Sequence, residues 1–206
     1  MQTRKAILIV VILLVASGIW SATGVRKIAT PADAEARGIS WEPWDAAALS
    51  VPLESPRIVV KKEERKLFLY SGDKLVHTYR VGLGLNPLGD KVRQGDRRTP
   101  EGDFYIFAKN DKSAFYLSLG ISYPNANHAA RGLRDGLIDR TQYDTIMQAL
   151  NAHRAPPQNT KLGGDIYIHG NGSRSDWTWG CVALEDADIR ELFNAVTVGT
   201  PVTIKP

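Results

Sequence analysis

The amino-acid sequence predicts a mainly β domain with two helices, and three observations carry that prediction. From Arg57 onward, short runs rich in β-branched and aromatic residues follow one another, interrupted by turn residues. Two of these runs are separated only by Ser71-Gly72-Asp73, which has the length and composition of a tight hairpin turn. Apolar residues at helical spacing stand out in just two stretches. Strands that outnumber helices in this way point to a β-rich domain of about 150 residues.

Taken in order, the strand candidates are Arg57 to Lys61, Lys66 to Tyr70 and Lys74 to Val81, the last two forming the hairpin. Asp103 to Lys109 alternates Phe104, Ile106 and Ala108 against Tyr105 and Phe107, and Phe115 to Leu119 is a weaker candidate. Tyr143, Ile146, Met147 and Leu150 mark a helix within Asp139 to Arg154. A strand from Asp165 ends on His169. Leu184 to Ala195 places acids first and then Ile189, Leu192 and Phe193 at helical spacing, and Val202 to Ile204 closes the domain as a strand. Gly82-Leu83-Gly84 has neither the spacing nor the following helix of a nucleotide-binding loop.

The residues before this domain are of another kind. Residues 1–22 combine a short basic stretch, Gln2 to Lys5, with an uncharged run from Ala6 to Ala22. That run is at the short end of what crosses roughly 30 Å of hydrocarbon. Trp20-Ser21-Ala22 is a poor cleavage site, so an N-terminal signal anchor in the membrane is expected, with a cleaved signal peptide as the alternative. Residues 23–56 read as a linker or N-terminal extension with four prolines, in which Trp41-Glu42-Pro43-Trp44 packs on the main domain or rests near a membrane surface. The domain at 57–206 is then expected to face outward. Its formal charge is small: +4 for the whole chain and +2 without Arg4 and Lys5, with acids and bases interleaved. That balance gives no reason to expect a nucleic-acid partner.

Cys181 is the only cysteine of the chain. In an exported domain it has no internal disulfide partner, which leaves inert burial or use as a nucleophile. His169-Gly170 ends a strand twelve positions earlier, and the intervening loop is long enough to bring imidazole and thiol together. A nearby imidazole would take the thiol proton, since free cysteine near pKa 8.5 is barely ionised at neutral pH. Gly180 removes bulk beside the sulfur, and the amides of Gly180 and Cys181 are candidates for holding an oxyanion. Spacing alone leaves a catalytic pair and a buried structural cysteine both open. A zinc site from His128, His169 and Cys181 matches no short zinc pattern, so no metal and no cofactor is expected.

Three segments decide between them. One runs from Val81-Gly82-Leu83-Gly84 through Pro87, Gly89, Lys91 and Gly95-Asp96 to Arg98-Thr99-Pro100-Glu101-Gly102. The second centres on Ser122-Tyr123-Pro124-Asn125. The third joins Gly163-Gly164-Asp165-Ile166 and Ile168-His169-Gly170 to Asp176-Trp177-Thr178 and Gly180-Cys181-Val182-Ala183-Leu184. In this order they resemble the L,D-transpeptidase catalytic domain of bacterial cell-wall enzymes (the YkuD-like family), and within it the YafK-like branch. The resemblance implies a β-sandwich or barrel with two or three peripheral helices, Cys181 as nucleophile and His169 as base. It implies peptidoglycan stem peptides with meso-diaminopimelate as substrate, held as a Cys181 thioester. Resolution by a second diaminopimelate amine makes a 3-3 crosslink, an outer-membrane lipoprotein lysine can serve instead, and water would make the enzyme a hydrolase. It also implies a place on the periplasmic side of the inner membrane, or in the periplasm if the signal is cleaved.

The chain departs from the common pattern of that family in three places, one of them the short stretch between His169 and Cys181. Trp179 stands where a second histidine is frequent, and Ala183 where an arginine is. All three departures fit the YafK-like branch, whose members include hydrolases of the lipoprotein-to-peptidoglycan link; a non-catalytic peptidoglycan-binding module is the remaining alternative. Thr178 and Gly170 are expected to support the site, and Arg174, Asn171, Asn125, Tyr123, Arg98 and Trp179 are candidates for substrate contact. Each also has a structural reading: Arg98 to Gly102 as a turn before a strand with Arg98 and Glu101 paired, and Asn125 as a cap.

Overall fold

The computed structural model describes Leu49 and residues 53–206. The expected membrane segment and the Trp41–Trp44 patch lie outside the described residues. Among the described residues, no helix is long and apolar enough to cross a membrane.

The described residues form eight strands and three helices: β1 (Pro56–Lys61), β2 (Lys66–Ser71), β3 (Lys74–Arg80), β4 (Gly102–Ser113), β5 (Tyr116–Ile121), α1 (Ala126–Arg134), α2 (Arg140–Asn151), β6 (Tyr167–His169), β7 (Val182–Ala183), α3 (Asp186–Ala195) and β8 (Pro201–Lys205). The strands form one sheet in the order β3-β2-β1-β8-β4-β5-β6-β7. β1 and β8 run parallel, as do β6 and β7; the remaining neighbours are antiparallel. Just beyond β3, Gly82 bridges Ala183 of β7, and Gly84 bridges Thr178. The segment leaving one edge of the sheet thus meets the other edge, so the sheet curls toward a barrel and the β7 edge is covered. The mainly β class is the one that the sequence predicts, and the barrel-like architecture with peripheral helices is the one that the resemblance implies.

One apolar cluster fills the curl. It includes Ile58, Val60, Leu67 and Leu69 from the first hairpin, Phe104 and Ile106 from β4, Leu119 and Ile121 from β5, Ile168 from β6 and Val182 from β7. The alternation of Phe104 and Ile106 inward against Tyr105 and Phe107 is the period-2 pattern of a strand with one buried face. Helix α3 covers this cluster with Ile189, Leu192 and Ala195, while Leu49 and Leu53 pack against it. Helices α1 and α2 share a second, smaller cluster built on Ala129, Ile138, Ile146 and Leu162.

Two differences from the sequence reading have clear causes. Helix α1 was not expected, because its buried residues are His128, Ala129 and Gly132 rather than a stripe of large apolar side chains. Gly132 lies so close to Leu162 that an added methyl would sit 2.7 Å from it. The strand β7 has two residues, too few for any periodicity; pairing with β6 and with Gly82 defines it.

The long segment between β3 and β4 is held from inside by buried charge. The Lys62 ammonium is 3% exposed yet satisfied by the carbonyls of Gly89 and Thr99 and by Glu101 at 2.6 Å. Glu101 therefore pairs with Lys62, not with Arg98 as the sequence reading had it. Lys91 bonds Asp96 at 2.8 Å, and Asp96 also accepts the amides of Val92, Arg93 and Arg98. Asp90 contacts His128 at 3.0 Å and Arg131 at 2.8 Å. Burial opposes ionisation of Asp90, but hydrogen bonds and charge from His128, the Glu101 amide and Arg131 hold its carboxyl well below the usual range. These pairs give the loop a fixed path, and that path ends against the Gly180-Cys181 turn.

Candidate active site

The β6–β7 ladder places the thiol and the imidazole. Ile168 pairs with Val182 and His169 with Ala183, so Cys181 falls opposite Tyr167, two residues before the histidine. Residues two apart share a face of the sheet, which makes Cys181 and His169 diagonal neighbours on adjacent strands. Both line one cavity of about 330 Å³, together with Asp165, Tyr167, Ser118 and the tip of the β4–β5 hairpin.

His169 is buried and has one orientation. Its Nδ1 lies 2.7 Å from the Gly170 carbonyl; a carbonyl only accepts, so Nδ1 carries the hydrogen. In the neutral ring, Nε2 is then the basic nitrogen. Phe115 packs on the ring at 4.6 Å between centroids, and Trp177 meets its edge at 5.6 Å. Burial lowers the affinity of this imidazole for a second proton, and the Gly170 carbonyl offsets part of that effect.

The Cys181 sulfur lies 3.4 Å from the Tyr167 amide and 3.5 Å from the Asp165 carbonyl. Burial pushes the thiol up to about 11, with the Tyr167 N–H working in the opposite direction. Both shifts favour the neutral forms of thiol and imidazole at rest. The thiol hydrogen is directed at Asp165, and among the described residues no hydrogen bond joins it to His169. Such contacts tighten once substrate occupies the site.

Thr178 ties the turn together. Its hydroxyl accepts the Gly180 amide at 3.1 Å and donates to the Cys181 carbonyl at 2.8 Å. The Thr99 hydroxyl reaches the same carbonyl at 3.4 Å and accepts the Gly84 amide at 3.0 Å. This corrects one expectation: the Gly180 amide is not free for an oxyanion, because Thr178 occupies it. Among the described residues only the Cys181 amide of the two lacks a partner. Gly180 is needed for a different reason. Its φ is +130°, and a Cβ there would lie 2.7 Å from the Arg98 carbonyl. Replacing Thr178 with Val should leave the buried Gly180 amide unpaired and cost about 1–3 kcal/mol, whereas Thr178→Ser should cost much less. Urea unfolding of the two variants measures the difference.

The other predicted contacts do not converge on the thiol. Tyr123 is fully buried and donates its hydroxyl to the Leu162 carbonyl at 3.0 Å, so its ring belongs to the core rather than to a substrate surface. Asn125 caps α1 by accepting the His128 amide, and it lines a different cavity beside Tyr105 and Leu150. Arg98 directs its guanidinium to the Asp90 carbonyl at 3.3 Å, and only its backbone touches the Gly180 turn. Asn171 and Arg174 line a neighbouring cavity of about 410 Å³ with Trp177 and Glu185. Trp179 is 68% exposed, with the Arg97 guanidinium 5.0 Å above its ring. His128 faces Asn125 and Asp90, away from the thiol. The Gly170 carbonyl accepts from His169, and a Cβ at Gly170 would collide with Asp186 at 2.6 Å.

Sequence reasoning missed Phe115, Tyr167 and Thr99, which contact His169, the sulfur and the Cys181 carbonyl. It also missed the function of Asp176, which receives Arg65 at 2.7 Å and the Leu83 amide at 2.9 Å and so fixes the loop between base and nucleophile. Thr99 and Asp176 lay within the quoted motifs, but nothing in the spacing showed what they touch.

Comparison with known proteins places the domain in a family. The sequence profile of the L,D-transpeptidase catalytic domain (YkuD) matches residues 55–204. A protein of Escherichia coli (strain K12) named as the L,D-transpeptidase YafK is 39% identical over 147 residues, 68% of this chain and 46% of that protein. Another from the same strain, named as the L,D-transpeptidase YcfS, is 29% identical over 174 residues, 79% of this chain and 50% of that one. The chain thus spans about half the length of these curated relatives. A crystal structure of a mutant of the helical cell shape determining protein Pgp2 from Campylobacter jejuni superposes with a TM-score of 0.51 at 22% identity, covering 75% of this chain and 48% of that one. With a curled β-sheet that sets one cysteine beside one oriented histidine, and a profile match over most of its length, this chain belongs to the L,D-transpeptidase catalytic-domain family.

Proposed function

We propose that this domain is a cysteine acyltransferase that cuts and rejoins peptidoglycan stem tetrapeptides. The observation that carries the reading is the shared cavity of Cys181 and His169, with the Gly170 carbonyl holding the histidine in the tautomer that leaves Nε2 basic. The Cys181 thiol gives its proton to Nε2 as the sulfur attacks the carbonyl at the L-centre of diaminopimelate. The oxyanion lies toward the Cys181 amide. The tetrahedral intermediate collapses by breaking the C–N bond, and His169 hands its proton to the departing D-alanine nitrogen. The thioester is then resolved by a second diaminopimelate amine, whose proton passes to His169 and on to the sulfur as the C–S bond breaks. A lipoprotein lysine is the other candidate amine. The uncharged N-terminal run supports placing this chemistry on the outer face of a membrane.

Hydrolysis is the second reading, with water resolving the thioester. One observation favours keeping it: Ala183 is fully buried and bridges Gly82 through both its backbone groups, so that position supplies no cation to the cavity. Incubation with disaccharide tetrapeptides, with and without a lipoprotein-linked muropeptide, separates the outcomes by mass spectrometry. A crosslinked dimer with loss of D-alanine supports transfer; tripeptide or released lipoprotein fragment without a crosslink supports hydrolysis. Unchanged muropeptides in every arm would overturn both.

A further inference from the structure

The charged side chains of the catalytic cavity are unevenly placed along it. Lys112 is the only lysine or arginine among the described residues that line the cavity, and Asp165 the only carboxylate. The two lie toward opposite ends. Asp165 precedes β6 and its carbonyl touches the sulfur. The β4–β5 hairpin tip packs at the other end, where Phe115 covers His169 and its carbonyl accepts the Gly170 amide at 3.1 Å. The order along the cavity is therefore Asp165, sulfur, imidazole, Phe115 and the hairpin with Lys112.

The hairpin is irregular where Lys112 stands. The β4–β5 register shifts between Asn110 and Ser113, so Asp111 and Lys112 lie in a bulge, and the Lys112 amide is held by the Asn110 side chain at 2.9 Å. Bulges next to a site re-aim the side chains they carry. The Lys112 side chain is exposed, and among the described residues no carboxylate or carbonyl pairs with its ammonium.

We propose that Lys112 is a specificity-determining residue that binds the α-carboxylate of the amino acid leaving from, or attacking, the Cys181 thioester. This deepens the acyl-transfer reading and rests on it. The base that takes the thiol proton must return it to the leaving nitrogen. That nitrogen therefore sits on the histidine side of the sulfur, and the groups beyond it extend toward the hairpin. In D-alanine the carboxylate is one carbon from the nitrogen, and the D-centre of a second diaminopimelate has the same arrangement. Asp165, at the far end, repels such an anion, so both charges orient the substrate the same way. A lysine side-chain amine carries no neighbouring carboxylate and gains nothing from Lys112. The residue thus favours exchange among α-amino acid centres over attachment to a lysine.

The test compares a stem tetrapeptide ending in D-alanine with its C-terminal carboxamide. Wild-type protein should prefer the acid in kcat/KM by about tenfold, the scale of one charge-assisted hydrogen bond. Lys112→Met should abolish that preference by slowing the acid alone, and Lys112→Arg should retain it. A preference that survives Lys112→Met, or an equal loss on both peptides, overturns the proposal. If wild-type protein turns over neither peptide, the acyl-transfer reading itself fails. Lys112 is then judged by protection of Cys181 from iodoacetamide. Greater protection by D-alanine than by D-alaninamide, lost in Lys112→Met, still supports a carboxylate subsite; equal protection overturns it.

Discussion

Cys181→Ala is expected to eliminate turnover of muropeptides, with a loss of at least about 10⁴-fold because Cys181 is the only thiol of the chain. The variant should fold. Cys181 is a half-buried residue at a turn whose shape is set by Thr178, Thr99 and Gly180, none of which uses the sulfur. Loss of one sulfur atom should cost about 1 kcal/mol or less of stability, as for a small truncation with room to relax. Circular dichroism and urea unfolding check the fold, and intact-mass spectrometry checks the thioester. Wild-type protein mixed with tetrapeptide should gain the mass of the donor less D-alanine; Cys181→Ala should not. Full activity in the variant would remove the sulfur from the mechanism.

His169→Gln should lower kcat/KM by about 10²–10⁴-fold, the usual contribution of a positioned base. The pH dependence tests its assignment more sharply. His169 must be neutral to accept the thiol proton, and burial lowers its affinity for a second proton. Activity should therefore hold through neutral pH and fall only as pH drops below the ordinary histidine value of about 6.5. That acid limb should vanish from the residual activity of His169→Gln. In the free protein, direct alkylation of Cys181 should be slow at neutral pH and accelerate toward about 11, where burial has placed the thiol. A thiol that alkylates fully at pH 7 would mean an ion pair at rest and would contradict the neutral-pair geometry.

Much of this was legible in the chain. Alternation at Phe104 and Ile106 and the Ser71-Gly72-Asp73 turn depend on neighbours in sequence, and both strands and hairpin formed where those patterns lie. The pairing of His169 with Cys181 in one cavity was legible because the chain holds one cysteine and a strand-end histidine stands twelve residues before it. The substrate-contact candidates were harder to judge. Tyr123 and Asn125 share a motif with the site, but the tyrosine entered the core and the asparagine became a helix cap. Motif membership is compatible with either outcome, because burial is decided by what packs on a residue from elsewhere in the chain.

The sequence by itself determined most of the strands along the chain and singled out Cys181 and His169 as the candidate pair, since these follow from local periodicity and from the intrinsic chemistry of single side chains. Tertiary structure alone decided which backbone amides remain free, which way His169 presents its nitrogens and which cation reaches the cavity. Those properties depend on contacts between segments far apart: Thr99 against Cys181, Phe115 against His169, and a hairpin bulge that sets Lys112 beside a site more than fifty residues away in sequence.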